Sequence, residues 1–493
     1  MTPRSATQSA GDPGVTTSLR TTDPSNGPAA EPRRLGAVGL VTVLFGAFLG
    51  IVDFFVVNVA LPVMGADLHA SAASLQLVVA GYAIAYAVLL VLGGRLGDQF
   101  GRRRMFVIGM ATFTLTRLIC GLAPTVGVLI AARIVQGAAA AFMVPQVLGT
   151  IQATTSGTRR ARAIGAFGAT AGLGMVVGQV LGGALLTADI AGTTWRPIFL
   201  VLVPFGVAGI VLARRFVPAT RAVRPARVDV AGTLLLAATL VALLVPLTEG
   251  RAFGWPVWTV LLLVAVVPLV AAFVLVERRA ERVGGSPLVP PSLLRAPSMR
   301  IGLTIAVPFF VGFGGFMFVF PLAVQRGAHL GPLRAGLALA PYAAVFLVAS
   351  LLLDRLVGRF GRLVLVGGGV VAGLGYAATG VTAWLAWPDV TVAVLALPSI
   401  VAGIGQACVM VPLFGVVLAD VPADRAGTGS GVLATTQQTS LALGVGILGT
   451  LFLTLAGMPS LGTRGAFALV LVVQLAVFGA VAALATRLPD PRR

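Results

Sequence analysis

A carboxylate and a guanidinium sit inside apolar runs: Asp53 in IVDFFVVNVALP and Arg133 in AARIVQG. If such a run lies in lipid, an acid within it costs at least ~2.5–3.5 kcal/mol, so its presence points to function. Burial favours the neutral acid and a nearby cation favours the carboxylate, and these opposed influences make a group that can take up and release a proton. The alternative is an acid kept neutral or paired only to pin helix packing. Arg133 is the natural partner, because an unpaired guanidinium in a span is also costly. Arg117 also falls within a span and reads as peripheral, snorkelling near one end of span three.

The other reactive residue types offer little. His69 and His329 fall in connecting segments, which argues against an intramembrane histidine relay, and Cys120 and Cys408 lie in apolar runs as small hydrophobes. No metal-ligand cluster, nucleophile triad or phosphate-cradling loop with its lysine is recognisable. The sequence therefore predicts neither an enzyme nor a cofactor.

The elements that must position Asp53 and Arg133 follow from composition. Of 493 residues, 57% are hydrophobic and 10% charged, against roughly 25% charged in soluble proteins. Apolar runs long enough to span a bilayer fall near 36–63, 74–93, 105–123, 126–147, 163–187, 196–216, 229–248, 256–276, 301–324, 335–353, 363–386, 390–418, 430–456 and 465–486. An even number of spans puts both termini on one side. Arginine placement says which: of the connections on the other side, only Arg196, Arg251, Arg326, Arg334 and Arg464 are basic, so both termini are expected in the cytoplasm. The same asymmetry accounts for the net charge of +19 without nucleic acid. Residues 1–34, rich in Ser, Thr, Pro, Gly and Ala, read as a disordered cytoplasmic tail without a signal peptide.

An internal repeat orders the spans. Arg95-Leu-Gly-Asp-Gln-Phe-Gly-Arg102 returns as Arg355-Leu-Val-Gly-Arg-Phe-Gly-Arg362, Met143-Val-Pro145 as Met410-Val-Pro412, and Arg162-Ala163 as Arg425-Ala426. These echoes, each eight spans apart, predict an all-α polytopic membrane protein of two six-helix bundles, 35–216 and 301–486, with an inserted two-helix segment and its linkers at 217–300. Residues 487–493 form a short cytoplasmic tail.

Between spans two and three, Gly93, Arg95, Gly97, Asp98, Gly101, Arg102 and Arg103 combine glycines for a tight turn, an acid and headgroup-binding arginines. This stretch resembles the G-x-x-x-D-R-x-G-R-R loop of the major facilitator superfamily, with Gln99 where the family has Arg or Lys. DFFVVNVALP is similar to the first-span signature of its fourteen-spanner drug:proton antiporter branch. Arg133-Ile-Val-Gln-Gly137 resembles its R-x-x-Q-G proton-transfer motif. Gly174, Gly178, Gly182 and Gly183 match the antiporter motif G-x-x-x-G-P-x-x-G-G, except that Gln179 replaces the proline. The kink a proline would bring is then not assured. The resemblance implies that Asp53 and Arg133 couple protonation to alternating access, and that spans one, four, nine and twelve line a central cavity.

Candidate cavity residues are Asn58, Gln136, Phe309, Phe313, Phe316, Gln406 and Gln437. Positions 309, 313, 316 and 320 share a helical face that could stack planar or lipophilic cations, or could pack on lipid or a neighbouring helix. The expected function is export, by a monomer in the bacterial cytoplasmic membrane, of small lipophilic or cationic drugs or toxic metabolites. Protons and membrane lipids are the other partners expected. Uptake or lipid translocation by the same fold stays open, as does a transport-dead sensor or scaffold, though no soluble output domain is present for the latter.

Overall fold

A computed structural model describes residues 35–221, 229–250, 254–285, 287–421 and 426–488. The expected tail 1–34, residues 489–493 of the C-terminal tail, Arg251 and Arg425 lie outside them. Among the described residues, fourteen helices are long and apolar enough to cross a membrane. They are α1 (Ala37–Asp67), α2 (Ala72–Phe100), α3 (Arg102–Gly121), α4 (Val126–Thr154), α5 (Gly157–Ala188), α6 (Pro197–Phe216), α7 (Val230–Glu249), α8 (Val257–Arg282), α9 (Pro297–Arg326), α10 (Pro332–Phe360), α11 (Leu363–Ala386), α12 (Val392–Leu418), α13 (Ala426–Ala456) and α14 (Gly462–Ala485). Helix α6 is broken by a turn at Val201–Leu202.

Most helices outrun the apolar runs that announce them, because helical backbone satisfies its own hydrogen bonds past the hydrocarbon edge. Helix α2 continues to Phe100, so the glycine–arginine stretch is mostly helix, and the chain reverses at Gly101, whose φ is +102°. Gly361, its counterpart in the repeat, also has a positive φ, +55°. Both are positions where a side chain would be strained.

The repeat has a packing basis. A Cβ on Gly137 of α4 would lie 2.2 Å from the Tyr82 carbonyl of α2, and one on Gly403 of α12 would lie 2.5 Å from that of Tyr342 in α10. The two bundles thus use the same close helix crossing, one glycine against one tyrosine backbone. In the first bundle α4 packs on α2 and α3 and α5 packs on α1; in the second α12 packs on α10 and α11, and α13 on α9.

The bundles meet along α5 with α10 and α2 with α13. Cross-bundle hydrogen bonds among the described residues lie at one end, where α1 stops and α2 starts. Gln76 Nε2 donates to Val445 O and Thr450 Oγ1, both at 3.2 Å, and Gln325 Nε2 to Val59 O at 2.9 Å. At the opposite end, Gly165 and Gly168 of α5 and Gly358 of α10 have no neighbour within 4 Å of a Cβ position. The polar ties between the bundles among the described residues are thus gathered at the first end. Helix α7 packs on both α2 and α13, while α8 touches mainly α7, and of its residues Thr259 and Glu277 are buried.

Candidate functional site

Asp53 lies midway along α1 and is fully enclosed, 0% exposed. Its Oδ2 pairs with Arg133 Nη1 of α4 and its Oδ1 with Arg117 Nη1 of α3. Gln136, three residues after Arg133 and on the same face, accepts from Arg133 Nη1 at 2.7 Å and donates from Nε2 to Asp53 Oδ1 at 3.1 Å. The Arg133 guanidinium sits 4.3 Å from the Tyr82 ring centre, and its Nε donates to Val78 O at 3.0 Å. The Gly137 crossing makes this possible: it brings α4 onto α2 at Tyr82, one turn from Arg133. Arg133 Nη2 is buried and has no hydrogen-bond partner among the described residues.

Arg117 corrects the sequence expectation. It is not a snorkelling residue but 1% exposed and paired with Asp53. Its Nη2 donates to Ile198 O at 2.7 Å and its Nε to Phe199 O at 3.2 Å. The turn at Val201–Leu202 interrupts the backbone ladder of α6, and the carbonyls before the break turn to the guanidinium. Position along α3 was readable from sequence; the face was not, nor was the break that supplies acceptors. The signal that could have found it is the one used for Arg133, the cost of a lone guanidinium in a span. Two guanidiniums therefore share one carboxylate.

The glycine–arginine stretch forms a second assembly. A Cβ on Gly97 would lie 1.9 Å from Gln146 Oε1 of α4, and Gln146 Nε2 donates to Gly93 O at 2.8 Å. Gly93 itself lies against the Ala141 carbonyl, 2.1 Å from a Cβ position. Arg102 pairs with Asp98 at 2.6 Å, its backbone N–H donates to Thr220 O at 2.9 Å, and Arg103 reaches Val217 O at 3.3 Å. Arg362 makes the corresponding tie in the second bundle, to Thr486 O at 3.2 Å and Leu488 O at 2.9 Å. Arg95 points elsewhere: it donates to Pro287 O in the linker after α8.

Helix α5 joins the Asp53 site to the bundle interface. Cβ atoms on Gly174, Gly178 and Gly182 would meet Ile51, Phe55 and Val56 of α1 at 2.7, 2.7 and 3.0 Å, while one on Gly183 would meet Leu333 of α10 at 2.7 Å. Gln179 is fully buried between these contacts, neither amide atom has a partner among the described residues, and Gly336 of α10 packs against its carbonyl.

The structure distributes the candidate cavity residues among different neighbours. Gln136 belongs to the Asp53 cluster. Asn58 is enclosed in α1, donating to Phe54 O at 2.7 Å. The face shared by the α9 phenylalanines is divided: Phe309 packs on Phe478 of α14 and Phe316 on Tyr376 of α11, inside their own bundle. Phe313 faces the other bundle, its ring 6.4 Å from that of Phe55 in α1. Gln406 of α12 is buried with both amide atoms unpartnered among the described residues, and Gln437 of α13 is half-buried. The clasps made by Gln76 and Gln325 were not foreseen.

Comparison with known proteins agrees with this geometry. Residues 43–445 match the profile of the Major Facilitator Superfamily. The chain is 40% identical to a Streptomyces coelicolor protein named "Probable actinorhodin transporter", over 87% of this chain and 74% of that one. It is 30% identical to the tetracenomycin C resistance and export protein of Streptomyces glaucescens, over 87% and 80% of the two chains. The crystal structure of a POT family transporter in complex with 5-aminolevulinic acid superposes with a TM-score of 0.68 at 14% identity, covering 92% of this chain and 98% of that one, which is a likeness of fold. The chain belongs to the Major Facilitator Superfamily and is a multi-pass transporter of the cytoplasmic membrane.

Proposed function

We propose that this transporter exports small amphipathic organic compounds in exchange for protons, with Asp53 as the proton carrier. The observation that carries the reading is the enclosed Asp53 carboxylate between Arg133 and Arg117. Protonating Asp53 removes the one negative charge that pairs with these guanidiniums among the described residues, and two like charges left in an enclosed site repel. Relief requires α1, α3 and α4 to move. Helix α1 cannot move alone, because Gly174, Gly178 and Gly182 hold α5 against it and Gly183 holds α5 against α10. A change at Asp53 thereby bears on the bundle interface, the element that must rock in alternating access.

With both termini in the cytoplasm, as the arginine distribution favours, the end held by Gln76 and Gln325 faces outward. Cargo would enter from the opposite, cytoplasmic end. The relatives named for export of or resistance to actinorhodin and tetracenomycin C support antibiotic-like organic cargo. Of the lipophilic or cationic cargo expected from the sequence, the cationic kind finds less support, since Asp53 is already matched by two guanidiniums.

The test is uptake of a panel of fluorescent cationic, neutral and acidic compounds into inside-out vesicles under an imposed proton gradient, wild type beside Asp53→Asn. Gradient-driven uptake present in the wild type and lost in the variant is expected. Uptake that persists in Asp53→Asn overturns the carrier assignment, and wild-type uptake indifferent to collapse of the gradient overturns proton coupling.

A further inference from the structure

Beside the turn that joins α10 to α11 lies an open crevice, walled by Leu356 and Phe360 of α10, Leu363, Gly367 and Val371 of α11, and Cys408 of α12. Its lining is apolar and its volume is about 260 Å³. From Leu363 to Val371 the wall runs ~12 Å along α11, at a rise of ~1.5 Å per residue. Both residues belong to the apolar run 363–386, so the crevice opens into hydrocarbon rather than into water. A Cβ on Gly367 would have no atom within 4 Å. The first bundle carries Val107 at the equivalent place of the repeat, so the missing side chain is a feature of the second bundle.

The mouth of the crevice is basic. Phe360 forms one lip, and the Arg359 guanidinium stands 5.5 Å from its ring centre. Arg355 lies one turn before Arg359, and both side chains are exposed. Arg362, in the turn itself, is engaged with Thr486 O and Leu488 O. Two exposed arginines therefore flank one end of an apolar slot, at the membrane edge that the arginine distribution assigns to the cytoplasm. A phospholipid has the matching build, a phosphate at the interface and a chain running inward beside the helices. Anionic headgroups are drawn to such arginines, and an apolar chain fills space that water occupies only at a cost. One turn of a helix, ~10 Å across and ~5.4 Å long, takes up over ~400 Å³, so a second copy of this chain is too bulky to enter.

We propose that this crevice binds an anionic phospholipid of the inner leaflet, with one acyl chain lying along Gly367 and Val371 and the headgroup held by Arg355 and Arg359. The bound chain touches α10, α11 and α12 together, beside the turn whose Gly361 has a positive φ. It thus braces the cytoplasmic end of the second bundle, where Arg362 already ties that turn to the residues after α14. The site stands apart from Asp53 and holds whatever the cargo or the coupling ion.

The test uses the thiol of Cys408, which lines the crevice and is half-buried, whereas Cys120 is fully buried. Full-length protein in detergent is alkylated with N-ethylmaleimide, with phosphatidylglycerol or phosphatidylcholine of identical chains added, and Cys408 is followed by peptide mapping. Phosphatidylglycerol is expected to slow the reaction about tenfold more than phosphatidylcholine at equal concentration, since two arginines act on one headgroup charge. Arg355→Gln combined with Arg359→Gln is expected to erase that difference. Gly367→Leu fills the crevice and is expected to leave Cys408 slow and indifferent to either lipid. Its Cβ enters open space, so this variant keeps the idea testable should the arginine exchanges disturb folding. Equal protection by the two lipids in the wild type, or a preference that survives both arginine exchanges, would overturn the site. Protection by glycerol 3-phosphate alone would overturn it in favour of a free phosphate. Slowing by raised protein concentration without lipid would do so in favour of a second copy of the chain. Vesicle transport enters none of these readouts, so failure of the exporter reading would not register here.

Discussion

Arg117 holds Asp53 through Oδ1, the carboxylate oxygen that Arg133 leaves free. The pair spans α1 and α3, and the same guanidinium binds the broken end of α6. Replacing Arg117 by Met leaves the Ile198 and Phe199 carbonyls without this donor but keeps Arg133 as a counter-ion for Asp53. The expected loss is therefore about 1–3 kcal/mol, the cost of unpaired buried acceptors, below the ~3–5 kcal/mol for a buried pair broken outright. Thermal unfolding of purified Arg117→Met should show a lowered midpoint. An unchanged midpoint would mean that the guanidinium contributes nothing to packing, as a snorkelling residue would not.

What could be read from the sequence follows period and cost. Span number, the repeat and the inserted pair were legible because apolar length and arginine asymmetry are one-dimensional signals. Asp53 and Arg133 were legible because a charge in a span is expensive wherever it points. The partner of Arg117 was not, since the face of α3 depends on where α1 and α6 lie. The α9 phenylalanines show the same limit. Helical spacing put 309, 313 and 316 on one side, yet that side is wide enough to touch α14, α11 and, through Phe313, α1. The glycines of the repeat carried their meaning only once Tyr82 and Tyr342 were seen lying against Gly137 and Gly403.

Two glycine substitutions separate packing from propensity. Gly137→Ala places a Cβ 2.2 Å from the Tyr82 carbonyl, so α4 must retreat from α2. The expected cost is about 1–3 kcal/mol, as for other overpacked sites. Because Tyr82 carries the Arg133 guanidinium, vesicle uptake should fall too. Gly165→Ala, in open space on α5, should instead stabilise by about 0.5–1 kcal/mol through backbone entropy alone. Both are read as shifts in unfolding midpoint, and opposite signs are the expected pattern.

Gln179 keeps a buried amide whose nitrogen and oxygen both lack partners among the described residues. Gln179→Leu removes that burden at similar volume, with an expected gain of about 1–3 kcal/mol in thermal stability. Should the amide find partners only when the bundles rock, the same variant will favour the present conformer and slow transport. A midpoint that falls in Gln179→Leu would show instead that the amide is satisfied here.

Among the described residues few polar contacts join the two bundles, and Gln76 makes two of them. Its Nε2 reaches Val445 O and Thr450 Oγ1 of α13, both at 3.2 Å. In Gln76→Ala the two acceptors lose a neutral donor, a net change of about 0.5–1.5 kcal/mol for each bond of this kind. Helices α2 and α4 pack through other residues, so the fold of each bundle should survive. The expected effect is on the balance between conformers: a total near 1.4 kcal/mol or more shifts a two-state equilibrium by about tenfold. Spin labels near the end of α1 and the start of α10 would report it by double electron–electron resonance, as growth of a longer distance in Gln76→Ala. A distance distribution identical to that of the wild type would mean that the glycine-mediated packing of α5 on α10 holds this end shut without Gln76.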